Sequence, residues 1–199
     1  DSCLAWITRG ANVLVVVSRV QTGDTLQRDN PDEYVLLVPD TPNLSVEVQA
    51  GSEVLHAGGD SLTIVPPGAS RLRVQGAGLL VRVFSSDVTD LLALADNQAT
   101  YATPNPDVAP LVAWPEPLGG YKLRHYRLAE HVTEGSQMRI FRTAKLMVNP
   151  LLKRPVARDV RKLSPHSHAD FEQGSLALSG TYVHHLRYPW GSDMTLWRP

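Results

Sequence analysis

The sequence predicts an all-β protein, and three observations carry that reading. Short runs rich in Val, Leu and Ile recur along the chain. Gly, Pro, Asn and Asp punctuate them at close spacing. Where one face of a strand is to be buried, apolar and polar residues alternate, as in Leu44-Ser45-Val46-Glu47-Val48. Evenly spaced short strands of this kind point to a sandwich or barrel.

The elements follow in order. Asn12 to Val20 is the first strand, and Glu33 to Val38 the next, bounded by Asn30-Pro31-Asp32 and Pro39-Asp40. Leu44 to Val48 and Glu53 to His56 follow, then the turn Gly58-Gly59-Asp60. Leu62 to Val65 ends in Pro66-Pro67-Gly68, and Arg71 to Val74 and Leu79 to Phe84 complete the set. Asp87 to Ala95 reads as a helix, with Asp87 placed to cap it and Asp90 in its first turn. Pro104, Pro106, Pro110, Pro115 and Pro117 then mark a connector laid over a surface, or a linker between domains. Strands resume at Tyr121 to Leu128, Gln137 to Phe141 and Lys145 to Val148. Ser175 to Leu178 and Thr181 to Arg187 suggest a hairpin around Ser179-Gly180. The expected organisation is two β units, 1–86 and 118–199, joined by a helix and Pro-rich linker over 87–117.

Composition narrows the function classes. The chain has 199 residues, 43% of them hydrophobic, and a formal net charge of −1 from 19 basic and 20 acidic residues. That balance offers nothing to nucleic acid or an anionic membrane. The apolar run Val13 to Val17 is far too short to span a bilayer. Cys3 is the single cysteine, so no disulfide forms within the chain, which fits a cytoplasmic location. No signal peptide is read near the N-terminus. The start at Asp1 and the end after Trp197-Arg198-Pro199 suggest a fragment of a longer product.

The chemistry is expected in Pro165-His166-Ser167-His168-Ala169-Asp170-Phe171-Glu172-Gln173-Gly174. In a β-strand His166, His168 and Glu172 share parity and point to one side. Two neutral imidazoles and a carboxylate suit a divalent first-row transition metal and leave positions open for substrate or oxygen. The bland alternative is an exposed polar strand carrying unrelated histidines. Asp170 shares the parity and would orient an imidazole or simply make a turn, whereas Gln173 faces away. Only one of His184 and His185 can face inward, and Tyr182 shares parity with His184. Arg124, His125, Arg127, Arg139 and Arg142 form a polar group from which one or two members would grip a carboxylate. Tyr188, Trp190 and Trp197 read as packing residues or as a pocket lining. Hydrolase-elbow, phosphate-loop and dinucleotide motifs are absent from the sequence.

On these residues the sequence resembles the cupin superfamily. Its first motif, a His-x-His pair, then Glu, then Gly, is matched by His166, His168, Glu172 and Gly180. Its second motif is matched in its first half by Gly59 and Pro66-Pro67-Gly68, with Arg71 where the family has a histidine. The resemblance implies tandem double-stranded β-helix barrels, a bicupin. The N-terminal barrel would be degenerate, and the C-terminal one would hold a metal at His166, His168 and Glu172. It implies Fe(II) as the metal, with Mn, Ni or Zn as others used in the family, and dioxygenase chemistry on a small organic substrate. A homodimer is also implied. The alternative is a non-catalytic module that senses a small molecule or metal, or serves as a scaffold.

Overall fold

The computed structural model describes residues 4–136, 138–186 and 191–197. Cys3, Tyr188 and Trp190, named above, lie outside the described residues, as do Gln137 and Arg187 at the ends of two expected strands.

Nine strands fill the first half of the chain: β1 (Leu4–Arg9), β2 (Val13–Val20), β3 (Thr25–Asn30), β4 (Tyr34–Val38), β5 (Ser45–Ala50), β6 (Glu53–Gly58), β7 (Ser61–Val65), β8 (Gly68–Gln75) and β9 (Gly78–Ser85). They pair outward from one hairpin. β5 and β6 are joined by Gly51-Ser52, with Gly51 at φ 55°, as a two-residue hairpin turn with glycine first requires. Flanking it, β4 pairs with β7, β3 with β8 and β2 with β9, all antiparallel. This doubled hairpin then curls, so that β9 also meets β4 and β8 also meets β5. The result is two sheets, ordered β2-β9-β4-β7 and β3-β8-β5-β6 in their shared eight strands. That order is the eight-stranded jelly roll.

Alternation decides what lies between the sheets. Along β2 the inward residues are Leu14, Val16, Ser18 and Val20; along β5, Val46, Val48 and Ala50; along β8, Ser70, Leu72 and Val74. With Tyr34, Leu36, Leu80 and Phe84 they make the main core. Strands β4 and β7 are buried at every position, on both faces. The second face is covered by the later part of the chain. β10 (Arg124–Arg127) adds to β7, and β11 (Phe141–Arg142) pairs with β12 (Met147–Val148). Leu128, Phe141 and Leu146 pack on Val35, Leu37, Leu62, Ile64, Val81 and Val83 to form a second core.

This arrangement differs from the expected organisation at several points. Among the described residues, 118–199 build no second barrel of their own. Their first strand, β10, is the edge of the first barrel's six-stranded sheet, and 124–148 act as a strap across it. The expected hairpin at 175–187 forms no strand in its described part, where every side chain is exposed and no neighbouring strand offers a ladder. The helix is shorter than expected. α1 spans Thr89–Leu92, and Asp87 does not cap it, because the Asp87 carboxylate is engaged by Lys145. The Pro-rich stretch is the surface connector: Ala109 accepts from the Asn12 amide at 2.7 Å, and the Trp114 N–H donates to Ala144 at 2.7 Å. No helix among the described residues is long and apolar enough to cross a membrane.

Candidate functional site

The inside of a jelly roll is where a ligand would be expected, so its contents come first. Leu14, Leu36, Leu72, Leu80, Tyr34 and Phe84 occupy it, none more than 1% exposed. The Tyr34 ring stacks on Phe84 with centroids 5.0 Å apart. Its hydroxyl shares a 3.0 Å hydrogen bond with Ser70, which in turn donates to the Arg28 carbonyl at 3.2 Å. Burial raises the Tyr34 pKa above its ordinary value. Arg71, matched to the family histidine, is not an interior residue: β8 turns Ser70, Leu72 and Val74 inward and Arg71 the other way. A shallow surface hollow of about 310 Å³ lies elsewhere, between the end of β1 and residues 92–102, beside Arg9 and Tyr101.

A dense polar network closes one end of the barrel, and the sequence reading did not single it out. The β3–β4 loop supplies Asn30, Asp32 and Glu33. Glu33, 1% exposed, accepts from the Arg124 guanidinium at 2.7 Å and from the Ala144 N–H at 2.9 Å. Asp32 accepts from the Ser85 hydroxyl at 2.5 Å and the Asn30 amide at 3.0 Å, with the Lys145 ammonium 3.2 Å away. Lys145 also pairs with Asp87. Burial alone would lower the lysine's pKa, but hydrogen bonds to Asp87 and Asp32 outweigh it, and the net shift is upward. Arg28 grips Asp90 with two bonds of 2.9 Å. That hydrogen-bonded guanidinium holds the Asp90 carboxyl below its usual range. Each acid here has a base or donor facing it. The network therefore fastens the strap and the helix to the barrel, and no charge is left pointing at a ligand. The signal in the sequence was Asn30-Pro31-Asp32-Glu33, polar residues directly preceding a continuous apolar strand.

The expected metal ligands are arranged differently. His166 and His168 are exposed neighbours with ring centroids 5.2 Å apart. His166 Nδ1 lies 2.8 Å from the Ser164 carbonyl, so that nitrogen carries the hydrogen, and Nε2 lies 3.2 Å from the Gln173 side chain. His168 stacks on Phe171 at 4.0 Å. The Glu172 carboxylate sits on the turn between β1 and β2, accepting from the N–H groups of Ala11 and Asn12. The donor types suit a first-row metal, but the three do not share a focus. Among the described residues no group of three or more His, Cys, Asp or Glu side chains is placed to hold one. As arranged, the set does not fit a metal centre. The physical reason is the missing ladder: shared parity aims side chains together only in a strand, and 164–174 is not one.

The other candidates have structural partners. Arg139 donates to the carbonyls of Leu128, Pro150 and Leu151 at 3.0, 3.2 and 3.1 Å, which pins the strap. Arg142 lies over the Trp114 ring at 4.8 Å, and Arg127 pairs with Glu130 at 3.2 Å. His125 is bonded to Thr63 at 2.9 Å, and partial burial lowers its pKa, with the Arg127 charge adding to the effect. The expected inward face at Tyr182 and His184 does not form, since 181–186 is not a strand and both residues are exposed; their rings lie 6.2 Å apart and nearly parallel, with His184 bonded to Ser175 at 3.0 Å. His185 packs edge-on against Trp197.

Strand order and register define the class: this is a jelly-roll protein with a strap across one sheet. No family model matches the chain, and no curated protein matches it. Solved structures similar to part of it include a cupin superfamily protein from Desulfitobacterium hafniense, 8% identical, covering 43% of this chain and 78% of that one at a TM-score of 0.38. An RmlC-like cupin from Shewanella frigidimarina is 17% identical over 44% of this chain and 79% of that one, TM-score 0.37. KdgF from Halomonas sp. is 13% identical over 45% and 83%, TM-score 0.37.

Proposed function

We propose that the jelly roll of residues 13–85 is a non-catalytic support, a barrel with a packed core in place of a ligand chamber. One observation carries this reading: six large side chains fill the space between the sheets, and the Tyr34 and Ser70 hydroxyls within it bond to each other. Ligand sites are concave and leave room for their occupant, with a few polar groups aimed into the space. Here the space is occupied, and the Tyr34 and Ser70 hydroxyls are turned to each other and to the Arg28 carbonyl rather than into an open space. A barrel of this kind serves by presenting its outer face, on which the strap docks. The test is a titration of the methyl-labelled full chain with a panel of small organic acids, sugars and aromatics. The Leu14, Leu36 and Leu72 methyl signals are expected to stay in place. Saturable shifts confined to those methyls would overturn the proposal.

A second reading puts divalent-metal chemistry on the 164–173 loop, and the paired rings of His166 and His168 are what favour it. Those two imidazoles would be the ligands, and Glu172 would join them only by leaving its turn. In its most specific form this reading makes the chain an Fe(II)-dependent dioxygenase acting on a small organic substrate, working as a homodimer in the cytoplasm. Oxygen uptake that requires added Fe(II) and disappears in the H166A/H168A variant supports it. Uptake that is unchanged by that double substitution overturns it.

A further inference from the structure

The turn between β1 and β2 is built as a seat for a carboxylate. Glu172 Oε1 accepts from the Ala11 N–H at 2.9 Å and Oε2 from the Asn12 N–H at 2.8 Å, so both oxygens are held by successive backbone donors. Successive N–H groups of this kind form an anion-binding concavity, and bonds to an ionised acceptor are stronger than neutral ones.

Three further observations bear on the seat. Gly10 is not in the positive-φ region, so no left-handed backbone calls for glycine there. A Cβ there would, however, lie 2.5–2.8 Å from the Glu172 carboxyl atoms, so the missing side chain is what leaves room for the carboxylate. The donors are fixed from other directions: the Gly10 N–H bonds Val13 at 2.7 Å, the Asn12 carbonyl accepts from Ser86 at 3.0 Å, and the Asn12 side chain bonds Ala109. Finally, Glu172 is the one residue between 164 and 186 that is not exposed. The residues around it are exposed, and its carboxylate bonds the segment to the β1–β2 turn of the barrel.

We infer that the β1–β2 turn is a carboxylate-binding site, and that Glu172 is its intramolecular ligand, tethering the 164–173 loop to the barrel. The ligand class is a glutamate side chain on a flexible peptide, supplied in this chain from 160 residues away. A seat of this kind exchanges its occupant. An acidic peptide competes for it, and release of Glu172 frees the loop that carries His166 and His168.

The test uses the full ¹⁵N-labelled chain and the exchange rates of the Ala11 and Asn12 amides. In E172A those two amides are expected to exchange at least about tenfold faster, as befits loss of charge-assisted bonds. G10A should do the same by closing the seat, while amides of β4 and β7 keep their protection and report an intact barrel. A peptide of residues 168–176, added to E172A at about 10 mM to populate a weak site, should restore slow exchange. The same peptide with glutamine in place of Glu172 should not. Unchanged exchange in E172A overturns the inference, and so does equal rescue by both peptides or no rescue by either.

Discussion

Replacing Arg124 by methionine keeps most of the side chain's apolar stem and removes the guanidinium that faces Glu33. In the native protein Glu33 is 1% exposed and has two donors, Arg124 at 2.7 Å and the Ala144 N–H at 2.9 Å. The substitution leaves Oε1 of a buried carboxylate without a partner. Removing one member of a buried pair costs about 3–5 kcal/mol. The Arg124 side chain is 21% exposed, so water reaches the gap in part, and the lower end of about 3 kcal/mol applies. For a chain of this length that corresponds to a Tm roughly 6–12 °C lower. Urea unfolding of R124M, E33Q and the double variant makes the assay a double-mutant cycle. The double variant should recover a large part of the loss, since the neutral amide that E33Q introduces still accepts from Ala144 without leaving a bare charge. Strap amides near Ala144 should exchange faster in R124M than in wild type. A cost below about 1 kcal/mol, or strictly additive effects of the two substitutions, would refute the claim that this pair fastens the strap.

Other outcomes follow from the same geometry. G76A should be severely destabilising, by more than about 3 kcal/mol, because Gly76 has φ +86° and a Cβ there would lie 2.0 Å from the Asn43 carbonyl oxygen; thermal unfolding reads this. S18A should hold or raise stability by up to about 1 kcal/mol, since the Ser18 hydroxyl is buried without a hydrogen-bond partner in the structure; denaturant midpoints decide it. Tyr34 has a raised folded pKa, so the unfolded state gives up its proton first as pH rises past about 10. Its contribution is therefore present below that pH and is lost above it, and Y34F should flatten the alkaline slope of stability. For His125 the folded pKa is lowered, so the unfolded state binds the proton more readily and stability falls as pH drops below about 6.5. H125Q should remove that acid-side slope in unfolding curves taken between about pH 5 and 7.

How much of this was legible in the sequence varies by element for physical reasons. β5 could be read directly, because Val46 and Val48 alternate with polar residues on a sheet with one wet face. β3 was missed: Thr25-Leu26-Gln27-Arg28-Asp29-Asn30 is polar, and it is a strand because its partner β8 supplies the ladder. β1 was missed likewise, being an exposed edge strand held by β2. The strap left a trace that went unread. The unbroken apolar runs of β4 and around Val13 to Val17 mean that both faces of the sheet are covered, and something outside the barrel had to cover the second face. The candidate metal set was legible as residue types but not as geometry. Parity along His166, His168 and Glu172 presumes an extended strand, whereas Glu172 found its partners 160 residues away in a turn whose only sequence mark is Gly10. The polar network at the barrel end was out of reach for the same reason, since Glu33 meets Arg124 and Asp32 meets Lys145 only once the strap has folded back.

The most direct test of a filled, structural barrel is whether its interior has room. Xenon enters apolar cavities that water leaves empty, and ¹²⁹Xe shifts report a saturable internal site. L36A supplies the positive control, because removing this fully buried side chain should open a cavity between the sheets at a cost of about 2–5 kcal/mol. The packed interior predicts saturable xenon binding in L36A and none between the sheets of the wild-type chain. A saturable xenon site among Leu14, Leu36, Leu72 and Phe84 in the wild type would contradict it.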